Sequence, residues 1–423
     1  MWETLKKIYN HRDLRNKILY VLGILVIFRI LAHIPVPGID LTELKSFFER
    51  NQLFGMLNLF SGGAMRNFSI VMMGVGPYIT SSIIFQLLGM IVPSLEALQK
   101  EGEYGRKKIN QYTRLATVPL AIMQSYAMIT LLKNQGVIGN WSVFELITML
   151  ITMTAGTMLL MWLGELISEK GIGNGISLII TLGIIGGVPA SLQQTLAVMD
   201  TTKIIGIIVF AVLAVIVTAL IVSVNEAERE IPVTYARRVR GHKTYGGVDT
   251  FLPIKVNIGG VIPIIFALSM MIIPGLITKF FEQAKSETIA NIATFIGKIF
   301  QDNSTSYGVI YFVLVVLFTY FYASVVFKPD QVSDNLQKQG GFVPGLRPGK
   351  ETADYLGSVL YKITFIGAIF LGFIAVLPYI VQSITNVQSL VLGGTGLLIV
   401  VSVVIDTIRQ IKAQLVMRTY DQY

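Results

Sequence analysis

Apolar residues run along this chain in blocks of about 20, each long enough as a helix to cross the roughly 30 Å hydrocarbon layer of a bilayer. Polar and glycine-rich stretches separate them. The pattern predicts ten spans, at approximately 18–34, 70–92, 115–132, 143–167, 175–196, 203–224, 258–278, 307–327, 363–382 and 387–406. An even count places both chain ends on one side of the membrane. One block is irregular. Before span 2, the piece from Phe54 to Arg66 breaks at Gly62-Gly63 and would reach only about 20 Å as a helix. Lipid cannot satisfy irregular backbone, so such a half-helix must lie in protein or in water, and it predicts an internal cavity. The fold expected is an all-α polytopic membrane protein with a short helix inserted before span 2.

Composition fixes the same class: 53% of residues are hydrophobic and 14% charged, too apolar for an ordinary soluble domain. Residues 1–17 are polar and basic and the first apolar block runs to spanning length, so it is expected to stay as an anchor rather than be cleaved. The absence of cysteine excludes disulfides, thiol catalysis and cysteine-ligated metals, and three scattered histidines leave no metal cluster. No cofactor is expected. With the N terminus cytoplasmic, 25 of the 34 Lys and Arg residues fall in cytoplasmic segments, a bias that orients both termini to that side. Lys100, Arg106, Lys107 and Lys108 belong to this pattern, and the net charge of +9 requires no nucleic-acid partner.

The chain also repeats itself. G-V-x-P-x-I occurs at Gly74 to Ile79 and again at Gly260 to Ile265, in the second and seventh spans. That divides the chain into residues 1–197 with spans 1–5 and 198–423 with spans 6–10. Five is odd, so the halves would be inverted repeats, an arrangement that places a pathway at their interface near the membrane midplane. Ile79 and Ile83 share one helical face, as do Ile176 and Ile180 after the glycine-rich turn at 171–175. On spacing alone, lipid-facing or packing isoleucine is the simpler reading. Few ionisable groups lie inside the spans, whereas ion-coupled transporters use them; Arg29 is the exception, placed either to snorkel or to line a wet outer cavity.

Two cytoplasmic loops, 225–257 and 328–361, exceed what packed helices need. Arg237, Arg238 and Arg240 form a basic cluster in the first, and Arg347 sits in the turn PGLRPG of the second. Guanidinium groups in shaped loops suit carboxylate or phosphate partners; retention of positive charge on the cytoplasmic side is the alternative. No G-x-x-x-x-G-K-[ST] loop occurs, so any nucleotide hydrolysis must come from a partner. Three classes remain open on the residues: a passive gated channel, a small-solute secondary transporter with inverted repeats, and a membrane scaffold.

Several long motifs, in order, carry a resemblance: IPVPGID at 34–40, LFSGGAMRNFSI at 59–70, GPYITSSIIFQLL at 76–88 and EKGIGNGIS at 169–177. IPVTYARR at 231–238, LPIKVNIGGVIPIIFA at 252–267, GFVPGLRPG at 341–349 and GGTGLLIVV at 393–401 continue it. Through these motifs the chain resembles the SecY family, the central channel subunits of the bacterial protein translocon. The resemblance implies a non-enzymatic, protein-conducting channel of the bacterial cytoplasmic membrane. Two five-helix halves would clamp an hourglass pore for unfolded polypeptide and release apolar segments sideways into lipid. It places Ile79, Ile83, Ile176, Ile180, Ile265 and Ile399 at the pore constriction. Phe54, Leu57, Leu59, Phe60, Ser61, Gly62, Gly63, Met65 and Arg66 would belong to a plug, and helices 2 and 7, adjoined by 3 and 8, to a lateral gate. Arg237, Arg238, Arg240 and Arg347 would engage the SecA ATPase or the ribosome; SecE and SecG are the implied membrane partners. Glu226, Glu228 and Glu230 make the start of loop 225–257 more acidic than in many relatives.

Overall fold

The computed structural model describes residues 11–36, 61, 63–65, 67–134, 136, 142–197, 204–235, 238–240, 243–245, 249–281, 287–300, 305–385 and 391–420. Each predicted apolar block overlaps a helix: α1 (Arg12–Leu31), α2 (Gly76–Ile91), α4 (Glu103–Asn134), α5 (Val143–Glu169), α6 (Gly175–Ala197), α7 (Ile204–Glu226), α8 (Ile262–Phe281), α10 (Thr305–Val326), α12 (Lys350–Thr385) and α13 (Val391–Tyr420). Shorter helices lie between them: α3 (Pro93–Lys100), α9 (Glu287–Ile299) and α11 (Pro329–Lys338). Among the described residues, four helical segments are long and apolar enough on their own to cross a membrane, Glu103–Lys133, Val143–Glu169, Ser306–Lys338 and Lys350–Leu377.

Local sequence sets the boundaries. Ser142 and Glu145 close a reciprocal capping box at the start of α5: Ser142 Oγ accepts from the Glu145 amide at 3.3 Å, and Glu145 Oε2 accepts from the Ser142 amide at 2.8 Å. Between α2 and α3 the axis turns through 99° at Val92. Pro93 disfavours helical geometry in the residue before it, and Val92 is extended, with φ −97° and ψ 112°. The first part of the predicted second span is not helical. Residues 67–75 form turns, and the helix begins at Gly76.

The order of helix neighbours is the same in two successive sets of five. In the first set α2 packs on α4, α4 on α5, α5 on α6, and α1 on both α5 and α6. In the second, α8 packs on α10, α10 on α12, α12 on α13, and α7 on both α12 and α13. The sets meet where α2 and α4 touch α8, and where α6 touches α13. The central apolar core draws on both sets. It includes Phe28 of α1, Ile83 of α2, Leu160 of α5, Ile180 of α6, Ile265 of α8, Tyr311 of α10, Leu371 of α12 and Ile399 of α13.

The loops at 225–257 and 328–361 are folded, which departs from an all-α reading. β1 (Glu228–Tyr235) pairs antiparallel with β4 (Asp249–Lys255), from Glu228 opposite Lys255 to Thr234 opposite Asp249. On its other edge β1 pairs with β5 (Gly341–Phe342) through Thr234 and Tyr235, so one sheet joins both loops. Between them, β2 (Arg238–Arg240) and β3 (Lys243–Tyr245) form a separate hairpin pair. Ile231, Ile254 and Val343 from the sheet region bury against Leu356 and Leu360 at the start of α12. This small core fixes the sheet to a helix that continues into the apolar bundle.

Candidate functional site

The turn before α2 and the turn before α8 are built alike. Gly74 and Gly260 have φ of +57° and +58°, in the left-handed region open to glycine. The amide of Gly76 donates to Met73 O, and that of Ile262 to Gly259 O. Each helix starts two residues after its glycine, with proline at the next position, and Val75 and Val261 are both buried. Ile79 N then bonds to Val75 O at 3.0 Å and Ile265 N to Val261 O at 3.1 Å. The repeated motif therefore places Ile79 and Ile265 at the same point of the first turn of matched helices.

All six isoleucines singled out in the sequence join one cluster. Ile83, Ile180, Ile265 and Ile399 are at most 6% exposed, and half-buried Ile79 and Ile176 pack against the same core. They come from α2, α6, α8 and α13, the helices along which the two sets meet. The approach of α5 to α6 depends on small residues: a side chain on Gly175 would run into the Gly164 carbonyl, and one on Gly164 would come within 2.9 Å of Ile176.

Beside this apolar cluster lies a polar layer that the sequence reading missed. Buried Asn225, at the end of α7, donates through Nδ2 to Ser402 Oγ of α13 at 2.7 Å, and its Oδ1 accepts from Asn257 Nδ2 at 2.6 Å. Asn257 Nδ2 also reaches Gly260 O at 3.2 Å, and Arg409 Nη2 donates to Asn225 O at 2.9 Å. A cavity of about 200 Å³ adjoins this layer, with Asn174, Ser177, Lys255, Asp406, Arg409 and Gln410 in its wall. From α13, Gln410 Oε1 accepts from the Gly173 amide and Gln414 Nε2 donates to Gly171 O, both at 2.7 Å, which ties the α5–α6 turn to the second set. Arg29 is also not the lone ionisable group among the apolar blocks. Glu165 of α5 pairs with Arg114 of α4 at 2.7 Å, a partnership that isolated inspection of each block could not reveal.

Between α1 and α2 the chain forms a closed neck. Val36 N bonds to Phe68 O at 2.8 Å and Ile70 N to Ile34 O at 3.1 Å, making an antiparallel bridge between Pro35 and Ser69. Ser69 Oγ adds a bond to Leu31 O at 3.0 Å. Of the plug candidates, Ser61, Gly63 and Met65 are described and lie in turns, with Ser61 and Met65 buried and Ser61 Oγ accepting from the Met65 amide. Phe54, Leu57, Leu59, Phe60, Gly62 and Arg66 lie outside the described residues. On α2, Thr80 Oγ1 accepts from Gln124 Nε2 of α4 at 3.4 Å, and Ser81 Oγ donates to Thr113 O at 2.8 Å.

Arg347 is exposed in a turn held by a bond from Thr352 Oγ1 to Arg347 O at 2.7 Å. Arg238 and Arg240 stand in β2, opposite Tyr245 and Lys243 of β3; Arg237 lies outside the described residues.

Residues 69–408 match the family model SecY. The chain belongs to the SecY family. It is 43% identical to the protein translocase subunit SecY of Mycobacterium tuberculosis, over 97% of each chain. It is likewise 43% identical to the SecY subunit of Halalkalibacterium halodurans, over 99% of each. Among solved structures, it resembles one titled as a protein-conducting channel, with TM-score 0.64 and 19% identity over 94% of this chain and 91% of the other. Sec61 in a canine ribosome–channel complex is similar in fold, with TM-score 0.61 and 18% identity over the same shares. At these identities the structural likeness carries the fold, while the SecY relatives carry the family.

Proposed function

We infer that this chain is the pore subunit of a protein translocase, a channel that conducts unfolded polypeptide and performs no catalysis itself. The observation that carries this reading is the convergence of six isoleucines, two from each of α2 and α6 and one from each of α8 and α13, into one apolar cluster between the helix sets. A path for arbitrary sequences must not hold its cargo. Branched apolar side chains offer a moving chain no hydrogen bonds, and an empty ring of them excludes water and ions by dewetting. The shared neighbour order and the matched turns at Gly74 and Gly260 support two five-helix halves, 1–197 and 198–423, related as inverted repeats. The apolar blocks and the Lys and Arg bias support ten spans with cytoplasmic termini.

On this reading α2 and α8, adjoined by α4 and α10, form a lateral gate, and the segment beyond the neck at Pro35 and Ser69 is a plug. The sheet that joins the two cytoplasmic loops presents the Arg237–Arg240 region and Arg347 to SecA or the ribosome. SecE and SecG are the expected membrane partners. Single cysteines at Ile79, Ile83 and Ile265, introduced into this cysteine-free chain, should crosslink to a secretory polypeptide stalled in transit. If verified translocation gives no crosslink at any of the three, the pore is elsewhere. Saturable uptake of a small solute without SecA or ribosomes would instead identify a secondary transporter.

A further inference from the structure

Arg29 lies in the last turn of α1, two residues before its end at Leu31, and its charge is costly in an apolar bundle. The guanidinium crosses to α6, where Nη2 donates to Gly186 O at 3.0 Å. Gly186 supplies the space as well as the acceptor: a Cβ there would sit 2.6 Å from Arg29 Cζ, overlapping the guanidinium carbon. Pro189, three residues on, has no N–H to offer the carbonyl of Ile185, so the backbone ladder of α6 is already interrupted beside this notch. On its other side the guanidinium reaches the turn before α2. A Cβ built on Gly63, whose φ is +82°, would lie 4.0 Å from Arg29 Nη1. Ser61 and Ala64, on either side of Gly63, are buried, and Ala64 belongs to the central core with Phe28 and Ile184. One planar cation thus lies between the α6 backbone and the left-handed glycine at the root of the plug segment.

We propose that Arg29 is a positioning residue for the plug: its guanidinium, held in the Gly186 notch, is the fixed stop against which the Gly63 turn seats in the closed channel. This rests on the channel reading above. The notch is cut by a glycine and its acceptor is a backbone carbonyl, so this contact depends on shape as much as on charge. Lysine would keep the charge without the planar fork that fills the notch. Alanine at 186 would evict the guanidinium while leaving Arg29 in the chain.

The test is resting ion leak across proteoliposomes holding the purified protein without substrate, read beside polypeptide translocation by the same preparation. Arg29→Gln and Gly186→Ala should each raise the leak about tenfold, the population shift expected when a charge-assisted contact made only in the closed state is lost. Arg29→Lys should fall between these and the native protein, and translocation should persist in all three. Gly23→Ala, on the same helix with nothing within 4 Å of the added Cβ, should leave the leak unchanged. Deletion of residues 55–65 serves as the reference for a lost plug. A leaky deletion with native leak in both Arg29→Gln and Gly186→Ala overturns the stop while sparing the plug. A deletion that does not leak overturns the plug reading itself. Should Gly186→Ala fail to assemble, Arg29→Gln decides alone.

Discussion

Side chains missing from the chain govern the helix contacts as much as those present. Gly175 faces the Gly164 carbonyl so closely that a methyl group there must separate α5 from α6. Gly175→Ala should therefore destabilise the purified protein by about 1–3 kcal/mol, the usual cost of overpacking. Gly23 on α1 meets nothing within 4 Å of an added Cβ, so Gly23→Ala should be neutral or stabilise slightly. Thermal unfolding of the two variants in one detergent separates these outcomes; equal midpoints would show that the α5–α6 crossing does not depend on Gly175. At this scale the sequence was informative where spacing carries the meaning. Ile79 with Ile83, and Ile176 with Ile180, share faces by helical period and do meet in one cluster. It was silent where meaning depends on a distant partner, as for Arg114 with Glu165 or Asn225 with Ser402, separated by 177 positions.

The elements show where periodicity is a sufficient guide and where it is not. Long apolar blocks specify helices because each lipid-facing turn must satisfy its own backbone. The sheet in the loops at 225–257 and 328–361 was missed for the opposite reason: its signal is short and carries prolines. Buried Ile231 and Val233 alternate with Pro232 between them, and β5 pairs only with Thr234 and Tyr235. At Pro232 one side of β1 is thus an open edge, where a residue without an N–H is tolerated. Where β4 hands over to α8, Asn257 bonds to Asn225, which in turn bonds to Ser402. Asn225→Ala leaves buried polar partners unmet and should cost about 1–3 kcal/mol. In a double-mutant cycle with Ser402→Ala, the coupling should be about 0.5–3 kcal/mol. Strict additivity in the unfolding free energies would mean that the bond contributes nothing to joining α7 with α13.

At the scale of the molecule, the two helix sets meet through α2 and α4 against α8, and through α6 against α13, with the isoleucine cluster between these seams. The proposed lateral gate would open one seam while the other stays joined, which requires unequal contacts. The α6–α13 seam carries polar ties besides its apolar packing: Gln410 and Gln414 bond to the backbone of the turn that precedes α6. Ile83→Asn or Ile265→Asn should raise ion leak by wetting the constriction, whereas Ile83→Leu should stay sealed. Conductance of the reconstituted protein at rest measures this directly. An Asn variant as tight as the native chain would place the seal outside these isoleucines.

The bridge between Pro35 and Ser69 has a further consequence for how such a protein can change. Chain leaving α1 and chain entering α2 are fastened directly to each other, so the spacing of the two helix ends is set at the bridge itself. The cost of closing a loop between two fixed ends grows only slowly with its length. A change of length in the chain that the bridge closes therefore costs little at the bridge itself, and its limit is set by Ala64, Met65 and Phe68, which are buried in the helix cores and belong to the frame.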